Sequence, residues 1–334
     1  SRPNVGRVAY CAARIARRLL DMPPATQKEI LEEARSQHSE PYDDVEARWL
    51  ESYEIALAQY PTLPDLDQDQ RILLGAYLTQ SYAYEAVSLT NPSMVPIGQA
   101  DERRQRFAMS ARAIGEGHIS SIAFLSGTIG PGPVIEVDRR DPHPTNGERR
   151  PAVYEKSSFS KRLTELGVRR DVAERVLATL GESFQLGELE ASLARLPDGT
   201  DANRIADSVN AIHLLAASNY RVQFAPDTEL SRRVLSPAAP AESGGMEDAR
   251  FVRFEEEDGS LSYYATYTAY DGRRILPQLI KSPDLVEFRV ATMSGPMVHN
   301  KGMALFPKRI DGEFAVLSRQ DNESIFLMRS DDVR

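Results

Sequence analysis

The sequence predicts a mainly β fold with added helices, and three observations lead to this prediction. From residue 219 to the end, short segments rich in Val, Ile, Phe, Tyr and Thr follow one another, separated by Gly, Asp or Pro. These segments come in groups of three or four per roughly 40 to 50 residues, a spacing that favours propeller blades but is compatible with a sandwich or barrel. Residues 1–90 and 141–218 instead have helical periodicity.

Residues 1–90 are predicted to form an N-terminal helical region. The segment "TQKEILEEARSQH" has Thr26 followed three positions later by Glu29, which is the pattern of a capping box. The segment "DVEARWLESYEIALAQY" places five apolar residues roughly on one helical face: Val45, Trp49, Tyr53, Ile55 and Ala56. After the break at "YPTLPDLD", the segment "DQDQRILLGAYLTQSYAYEAVSLTN" predicts one or two further helices.

Residues 91–140 are predicted to be the first blade, because "RQRFAMSARAI" and "HISSIAFLSGTI" alternate as paired strands around "GEG". Residues 141–218 are an inserted helical segment, with "RDVAERVLATLG" closed by Gly181. Residues 219–334 supply further blades, with hairpin turns at "EDGS" and "IDGE". About three blades fit between residue 91 and the end, so we expect a fragment of a longer protein, a ring completed by another chain, or a β fold other than a propeller.

Composition and charge exclude several classes of function. The net charge of −9 argues against broad binding to nucleic acid or to an anionic membrane, and no apolar run is long enough to span a bilayer. The five histidines form no HExxH pattern, and neither a P-loop nor a dinucleotide motif is present. Cys11 is the only cysteine, which suits a reducing compartment. We therefore expect a cytoplasmic protein without a metal or an organic cofactor.

Polar clusters lie where predicted strands end, in "NPSMVP", "RAIGEGHISSI", "GMEDAR", "TYTAYDG", "VHNKGMALFP" and "LSRQD". Taken singly, each has an ordinary structural explanation, because Asp and Asn at strand ends usually form turns and exposed Lys is usually solvated. Together they combine carboxylates, cations and aromatic rings, which is the composition that a sugar-cleaving pocket requires.

Four of these segments also carry a family resemblance: "GGMEDARFVRF", "YYATYTAYDG", "HNKGMALFPKRIDGEFAVLSRQD" and "RAIGEGHISSI". They resemble glycoside hydrolase family 130, which contains β-mannoside phosphorylases and related mannosidases. The resemblance covers residues 219–334 and 91–129, and it implies a five-bladed β-propeller, incomplete in this chain. The helical parts resemble a helix-bearing branch of that family.

The resemblance also implies roles for individual residues. The family motif E-D-P-R falls on Glu247, Asp248, Ala249 and Arg250, with Ala249 in place of proline. Its aspartate is the proton donor, which makes Asp248 the catalytic candidate. The proton can travel through a sugar hydroxyl in this family, so the donor need not touch the glycosidic oxygen. The resemblance makes Lys301 and Arg319 candidates to bind phosphate or a sugar hydroxyl. His299 is a further phosphate-binding candidate, because an inverting phosphorylase needs two or three cations to hold the anion.

The substrate-binding candidates complete the predicted site. They are Asn91, Arg112, Glu116, His118, Glu247, Arg250, Tyr267, Asp271 and Asn300. Because adjacent residues of a strand point to opposite faces, we expect Asp248 to face the pocket and Glu247 to make a structural or rim contact.

We expect an enzyme that cleaves β-mannosidic bonds in an oligosaccharide by inverting phosphorolysis, with inorganic phosphate as co-substrate and mannose 1-phosphate as product. An inverting hydrolase is the alternative, since Glu116, Asp271 and Asp321 are available as bases that would activate water. A protein of another class, a non-catalytic sugar-binding or scaffolding protein, also stays open. Its helical segments would mediate assembly, and a homo-oligomer is compatible with either class.

Overall fold

A computed structural model describes residues 5–38, 45–59, 64–79, 82–98, 104–132, 134–140, 143–196, 200–321 and 323–333. The chain divides into two compact units, Ser1–Tyr82 and Ala83–Arg334. Across this described part of the chain, no helix combines the length and the apolar character needed to cross a membrane.

The first unit is helical. Its helices are α1 (Val5–Leu20), α2 (Pro24–His38), α3 (Val45–Gln59) and α4 (Gln68–Leu78). Helix α4 begins with a capping box, in which the Asp67 carboxylate accepts from the Gln70 N–H (2.9 Å) and the Gln70 side chain accepts from the Asp67 N–H (3.1 Å). Helices α3 and α4 approach closely, because a Cβ at Gly75 would lie only 1.9 Å from the Trp49 carbonyl oxygen.

Two expectations for this region were wrong. Thr26 lies inside α2 and does not begin it, since the helix begins at Pro24, whose fixed φ suits the first helical position. The helical pattern predicted to continue to residue 91 ends at Leu78, and a strand follows from Ser88. That strand pairs with a neighbour from Ser88 onward, so sheet hydrogen bonds replace helical ones.

The second unit combines strands with four more helices. Its strands are β1 (Ser88–Pro96), β2 (Gln105–Ile114), β3 (Ser120–Ile129), β4 (Ile135–Val137), β5 (Thr145–Asn146), β6 (Glu148–Pro151), β7 (Val153–Glu155), β8 (Ser183–Gln185), β9 (Tyr220–Gln223), β10 (Arg233–Leu235), β11 (Gly245–Glu255), β12 (Leu261–Tyr270), β13 (Ile275–Ser282), β14 (Glu287–Thr292), β15 (Ala304–Leu305), β16 (Phe314–Ser318) and β17 (Phe326–Ser330). Its helices are α5 (Lys156–Glu165), α6 (Arg170–Ala178), α7 (Leu186–Leu193) and α8 (Thr200–Ala217).

Most of these strands form three successive antiparallel meanders. The first is β1–β2–β3–β4, the second is β11–β12–β13–β14, and the third is β15–β16–β17. The first two join through one parallel pair, Gly245 with Ser120, which makes a twelve-stranded sheet. The described strands close no sheet on itself, so the fold is a mixture of helices and large β-sheets and a five-bladed propeller is not shown.

The segment 141–218 is not purely helical. Strand β6 lies within it and pairs with β9, which in turn pairs with β14 and so extends the second meander. Helices α5 to α8 pack on a core of their own, in which Tyr154 stacks on Phe184 and Phe159 contacts both rings edge to face. A separate core lies beneath the sheet and includes Phe124 and Phe288.

Candidate functional site

Two β-bulges give the candidate site its geometry. The pairing of β1 with β2 shifts between Thr90 and Ser93, and the pairing of β11 with β12 shifts between Glu247 and Arg250. Each bulge contains one residue in the left-handed region, Asn91 (φ 50°) in β1 and Asp248 (φ 54°) in β11. Asn and Asp tolerate this conformation better than other side chains do. Because a bulge re-aims a side chain, both strands can direct these residues out of the regular alternation.

The two bulged residues contact each other. Asn91 Nδ2 donates a short hydrogen bond to Asp248 Oδ1. Ser93, next to the first bulge, accepts from the Phe251 N–H at 2.9 Å and so ties β1 to β11. The amide of one strand is therefore held against the carboxylate of the other.

Arg112 on β2 joins both acidic residues. Its Nη1 lies 3.4 Å from Asp248 Oδ1, and its Nη2 lies 2.7 Å from Glu247 Oε1. Its Nε donates to Ser120 Oγ at 2.8 Å, which fixes the guanidinium from the third side. One cation, planar and held at all three nitrogens, thus orients two carboxylates.

Asp248 lines the pocket and Glu247 makes a structural contact, as expected. Both carboxylates nevertheless bind Arg112, so the expectation that strand alternation separates the two side chains was wrong. The bulge at these positions interrupts the two-residue period on which that expectation depended. Glu247 is also not at the rim, because only 12% of its side chain is exposed. Its second oxygen lies 3.7 Å from Lys301 Nζ, so the carboxylate is held between two cations.

A small pocket lies beside Asp248, with an empty volume of about 210 Å³ that includes solvent at its mouth. Its lining comes from β11, β12, β13 and the loop before β15: Asp248, Thr266, Tyr267, Thr268, Pro277, Asn300, Lys301, Gly302 and Met303. The loop is anchored to the sheet, since Thr266 Oγ1 donates to the Met303 carbonyl oxygen at 2.6 Å. The anchor keeps Lys301 on the pocket wall.

Arg319 lies next to this loop. Asn300 Nδ2 donates to the Arg319 carbonyl oxygen at 3.0 Å, and a Cβ at Gly302 would lie 3.3 Å from Arg319 Nε. Gly302 has φ +84°, so both its conformation and the close guanidinium favour glycine there. The structure therefore brings together Asn91, Arg112, Glu247, Asp248, Asn300 and Lys301, with Arg319 beside them.

Other predicted site residues lie elsewhere or have other partners. Glu116 and His118 are exposed on the turn that joins β2 to β3, two or more residues beyond the end of β2. His299 is exposed, and its backbone N–H donates to the Met297 carbonyl oxygen. Arg250 Nη1 lies 3.4 Å from the Pro92 carbonyl oxygen, outside the carboxylate cluster.

Two predicted acids form turns instead of presenting a carboxylate to a pocket. Asp271 Oδ1 accepts from the N–H groups of Arg273 (2.8 Å) and Arg274 (2.6 Å). Asp321 Oδ1 accepts from those of Ser324 (2.7 Å) and Glu323 (3.0 Å), and these bonds lower the pKa of Asp321. Both residues therefore have the structural role that aspartate at the end of a strand usually has, which is to form a turn.

Tyr267 lines the pocket, but its hydroxyl donates a hydrogen bond to the buried residue Glu242, which is not part of the pocket lining. The hydroxyls of Tyr267 (2.5 Å) and Tyr220 (2.8 Å) both donate to Oε1 of Glu242, a fully buried carboxylate whose Oε2 accepts from two backbone N–H groups. Burial and the Glu242 charge raise the pKa of both tyrosines well above 10.0. Sequence reasoning missed Glu242 and Ser120, since nothing local marks either as a partner of these side chains.

Among the described residues, no group of three or more His, Cys, Asp or Glu side chains is arranged to hold a metal ion. The polar groups that converge are two carboxylates, one amide, one guanidinium and one ammonium. Such a set can bind sugar hydroxyls and an anion at neighbouring points.

No protein-family model and no curated protein matches the chain. Two solved structures align with it in part. A provisionally assigned glycoside hydrolase from Bacteroides ovatus aligns over 73% of this chain and 47% of its own, with 13% identity and a TM-score of 0.33. The β-1,2-mannobiose phosphorylase from Listeria innocua, in complex with β-1,2-mannobiose, aligns over 76% of this chain and 64% of its own, with 17% identity and a TM-score of 0.30. The chain thus covers about half to two-thirds of these structures, and likeness at this level carries no argument about function.

Proposed function

We propose that the chain is a carbohydrate-active enzyme that cleaves β-mannosidic bonds by inverting phosphorolysis and releases mannose 1-phosphate. The observation that carries the proposal is the shared position of Asp248, which faces a pocket while Arg112 and Asn91 hold one of its oxygens. Membership of glycoside hydrolase family 130, implied by the sequence motifs, is part of this proposal.

Asp248 is the proposed proton source. Within the described ranges of the chain, the side-chain donors to Asp248 are Asn91 and Arg112, and both use Oδ1, so Oδ2 is the oxygen that would carry the proton. A glycosidic oxygen leaves poorly unless it is protonated, and a positioned acid typically contributes about 10²–10⁴-fold to such a step. The proton would pass to that oxygen directly or through a sugar hydroxyl.

Lys301 and Arg319 are the proposed phosphate ligands, with Arg112 as the third cation. Lys301 lies on the pocket wall and Arg319 lies against the adjacent Gly302. Charge-assisted hydrogen bonds from Lys and Arg are the usual means by which proteins hold phosphate. Glu247 would keep Arg112 and Lys301 in place through its two oxygens.

The reaction balances without a further reagent. A phosphate oxygen attacks the anomeric carbon from the face opposite the leaving group, the bond from that carbon to the glycosidic oxygen breaks, and this oxygen takes the proton from Asp248. Hydrogen phosphate brings its own proton, which returns to the aspartate when mannose 1-phosphate leaves. No carboxylate base is required, because the nucleophile is already anionic.

The inverting hydrolase is the second candidate, and it needs a carboxylate that activates water about 6.5–9.5 Å from the acid. Of the three acids considered for this task, Asp271 and Asp321 cap turns and Glu116 is exposed on the β2–β3 turn. Glu247 is held by two cations. These contacts favour phosphorolysis over hydrolysis.

We further propose that the three meanders are blades of a β-propeller. Strand β1 contacts β11, and β11 contacts β15, so the first strands of the three meanders are neighbours, as the inner strands of successive blades are. In a propeller, the equivalent ends of the inner strands surround one central pocket. That geometry accounts for residues as distant in sequence as Asn91 and Lys301 reaching the same place.

The test is an incubation of the chain with β-1,2-mannobiose, with and without inorganic phosphate. Phosphate-dependent formation of mannose 1-phosphate supports phosphorolysis, and free mannose formed equally in both samples supports the hydrolase. Asp248→Asn should lower turnover by about 10²–10⁴-fold while sugar binding, measured by calorimetry, survives. Asp284→Asn is the matched control, since Asp284 caps the β13–β14 turn and asparagine can do the same. Binding without turnover in the unaltered chain would favour a non-catalytic sugar-binding protein.

A further inference from the structure

Four basic residues form a continuous row across four neighbouring strands. Arg150 on β6 pairs directly with Arg221 on β9, Arg221 pairs with Arg289 on β14, and Arg289 pairs with Lys281 on β13. Residues directly opposite each other point to the same face of a sheet. The row therefore concentrates four positive charges on one face, and like charges in such positions destabilise the pairing.

Carboxylates neutralise three of the four members of this row. The ion pairs are Arg150 with Glu148 (2.7 Å), Arg289 with Glu287 (2.7 Å) and Lys281 with Glu256 (2.8 Å). Arg221, between two other arginines, has no acidic partner within the described part of the chain. Arg221 is half-buried and lies between two other guanidinium groups. We therefore expect a bound anion to be stabilised electrostatically more at Arg221 than elsewhere in the row.

A pocket lies over the centre of the row. It is bounded by β7 and α5 on one side and by β9 and β14 on the other, and its empty volume is about 1270 Å³ including solvent at the mouth. Lys161, Arg162, Arg221 and Arg289 line it, together with two acids, Glu155 and Asp332. None of its lining residues also lines the pocket beside Asp248.

Arg162 supplies a second, independent observation. The residue is buried, its Nη1 lies 2.7 Å from Glu165 Oε2, and its Nε has no hydrogen-bond partner among the described residues. Buried donors are nearly always satisfied in folded proteins, by the protein, by water or by a ligand. Arg162 therefore adds a guanidinium with one uncompensated, buried donor to the wall of this pocket.

We propose that this pocket binds a phosphorylated sugar. The phosphate group would contact Arg221 and Lys161, because two cations can form charge-assisted hydrogen bonds with a phosphate dianion. The volume exceeds what inorganic phosphate alone occupies, and Ser158 and Asn219 in the lining can bind sugar hydroxyls. The site lies apart from the proposed catalytic pocket, so it does not depend on the proposed reaction.

The experiment measures binding of mannose 1-phosphate, mannose 6-phosphate and glucose 6-phosphate by calorimetry, with free glucose as a neutral reference. At least one phosphate ester should bind, and Arg221→Gln should weaken it by about tenfold or more, as expected when a charge-assisted hydrogen bond is lost. Lys161→Gln, at an exposed position that leaves the fold intact, should weaken it by a few-fold. Arg170→Gln, which removes one positive charge from the exposed face of α6, should bind as the unaltered chain does.

The melting temperature of the ligand-free chain gives a second readout. Arg221→Gln should leave it unchanged or raise it, because the substitution removes repulsion within the row. The proposal is overturned if none of the three esters binds, if Arg221→Gln binds them normally, or if Arg170→Gln weakens them equally. It is also overturned if binding is lost in Lys301→Gln and kept in Arg221→Gln, which would place the ligand beside Asp248. Turnover of β-1,2-mannobiose is scored separately, so either proposal can fail without the other.

Discussion

Asn91 and Asp248 occupy facing β-bulges on two neighbouring strands, both in the left-handed conformation, and the amide of one donates to the carboxylate of the other. The contact links residues 157 positions apart in the chain. Strain in the backbone and a specific hydrogen bond therefore coincide at one point, which is common at functional sites.

Asn91→Gly and Asn91→Ala should separate these two features. Both remove the amide that holds Asp248, so both should lower kcat/KM for phosphorolysis, by about tenfold if one hydrogen bond is lost. Glycine accepts φ 50° without strain, whereas alanine should cost a further ~1–2 kcal/mol of unfolding free energy. Steady-state kinetics and urea denaturation measure the two effects. Equal stability of the two variants would contradict a strained bulge, and unchanged kinetics in both would remove Asn91 from the site.

Arg112→Met should destabilise the protein and inactivate it. The substitution leaves Glu247 and Asp248, both mostly buried, without their shared cation, and breaking a buried pair costs about 3–5 kcal/mol. We expect about 2–3 kcal/mol, measured by denaturant unfolding, because water still reaches part of each side chain.

The matched control for Arg112→Met is Arg106→Met on the same strand. Arg106 pairs with Asp138 at 2.7 Å, but both side chains are more than a third exposed. Exposed pairs contribute roughly 0–1 kcal/mol, so this variant should unfold almost as the unaltered chain does. A similar loss in both variants would show that Arg112 has no special structural role.

Alkaline pH should weaken the fold through Tyr267 and Tyr220. Because burial and Glu242 raise their pKa above 10.0 in the folded state, the stability they confer is fully present below pH 10 and is lost as the pH rises further. Each such tyrosine contributes a slope of about −1.4 kcal/mol per pH unit above its unfolded pKa. Tyr267→Phe should reduce that slope between pH 10 and 11 while lowering stability at pH 8. A slope identical to that of the unaltered chain would refute the assignment.

Helix packing in the first unit depends on Gly75. Gly75→Ala places a methyl group against the Trp49 carbonyl oxygen and should destabilise α4 by roughly 1–3 kcal/mol, as overpacking does. Gly187→Ala in α7 is the control, since open space surrounds that position and alanine favours helices by about 0.5–1 kcal/mol. The melting temperature should therefore fall in Gly75→Ala and rise in Gly187→Ala. A change of the same sign in both variants would show that the close approach of α3 and α4 does not require glycine at position 75.

The sequence allowed the hairpin of β2 and β3 to be predicted, because period-two alternation around "GEG" is a local signal. The bulges could not be predicted, since an extra residue in a strand leaves no mark on composition. The expected separation of Glu247 and Asp248 by strand alternation failed for that reason, although Asp248 does face the pocket. The sequence alone indicates the motif containing Asp248 and the residues Arg112 and Lys301 as candidates. Their convergence depends on tertiary packing.

Long-range register explains the other omissions. The row from Arg150 to Lys281 draws on strands more than a hundred residues apart, so no window of sequence shows it. Glu242 was missed because its two tyrosine partners come from different strands. Asp271 and Asp321 were overinterpreted, because a turn-forming aspartate and a ligand-binding aspartate look alike in sequence.

The most direct test of Asp248 as proton source compares two substrates in Asp248→Asn. With β-1,2-mannobiose, whose leaving group needs a proton, kcat/KM in the presence of phosphate should fall by about 10²–10⁴-fold. With 2,4-dinitrophenyl β-mannoside, whose leaving group departs without protonation, the loss should be less than about tenfold. Equal losses on the two substrates, or no loss on mannobiose, would contradict the central claim.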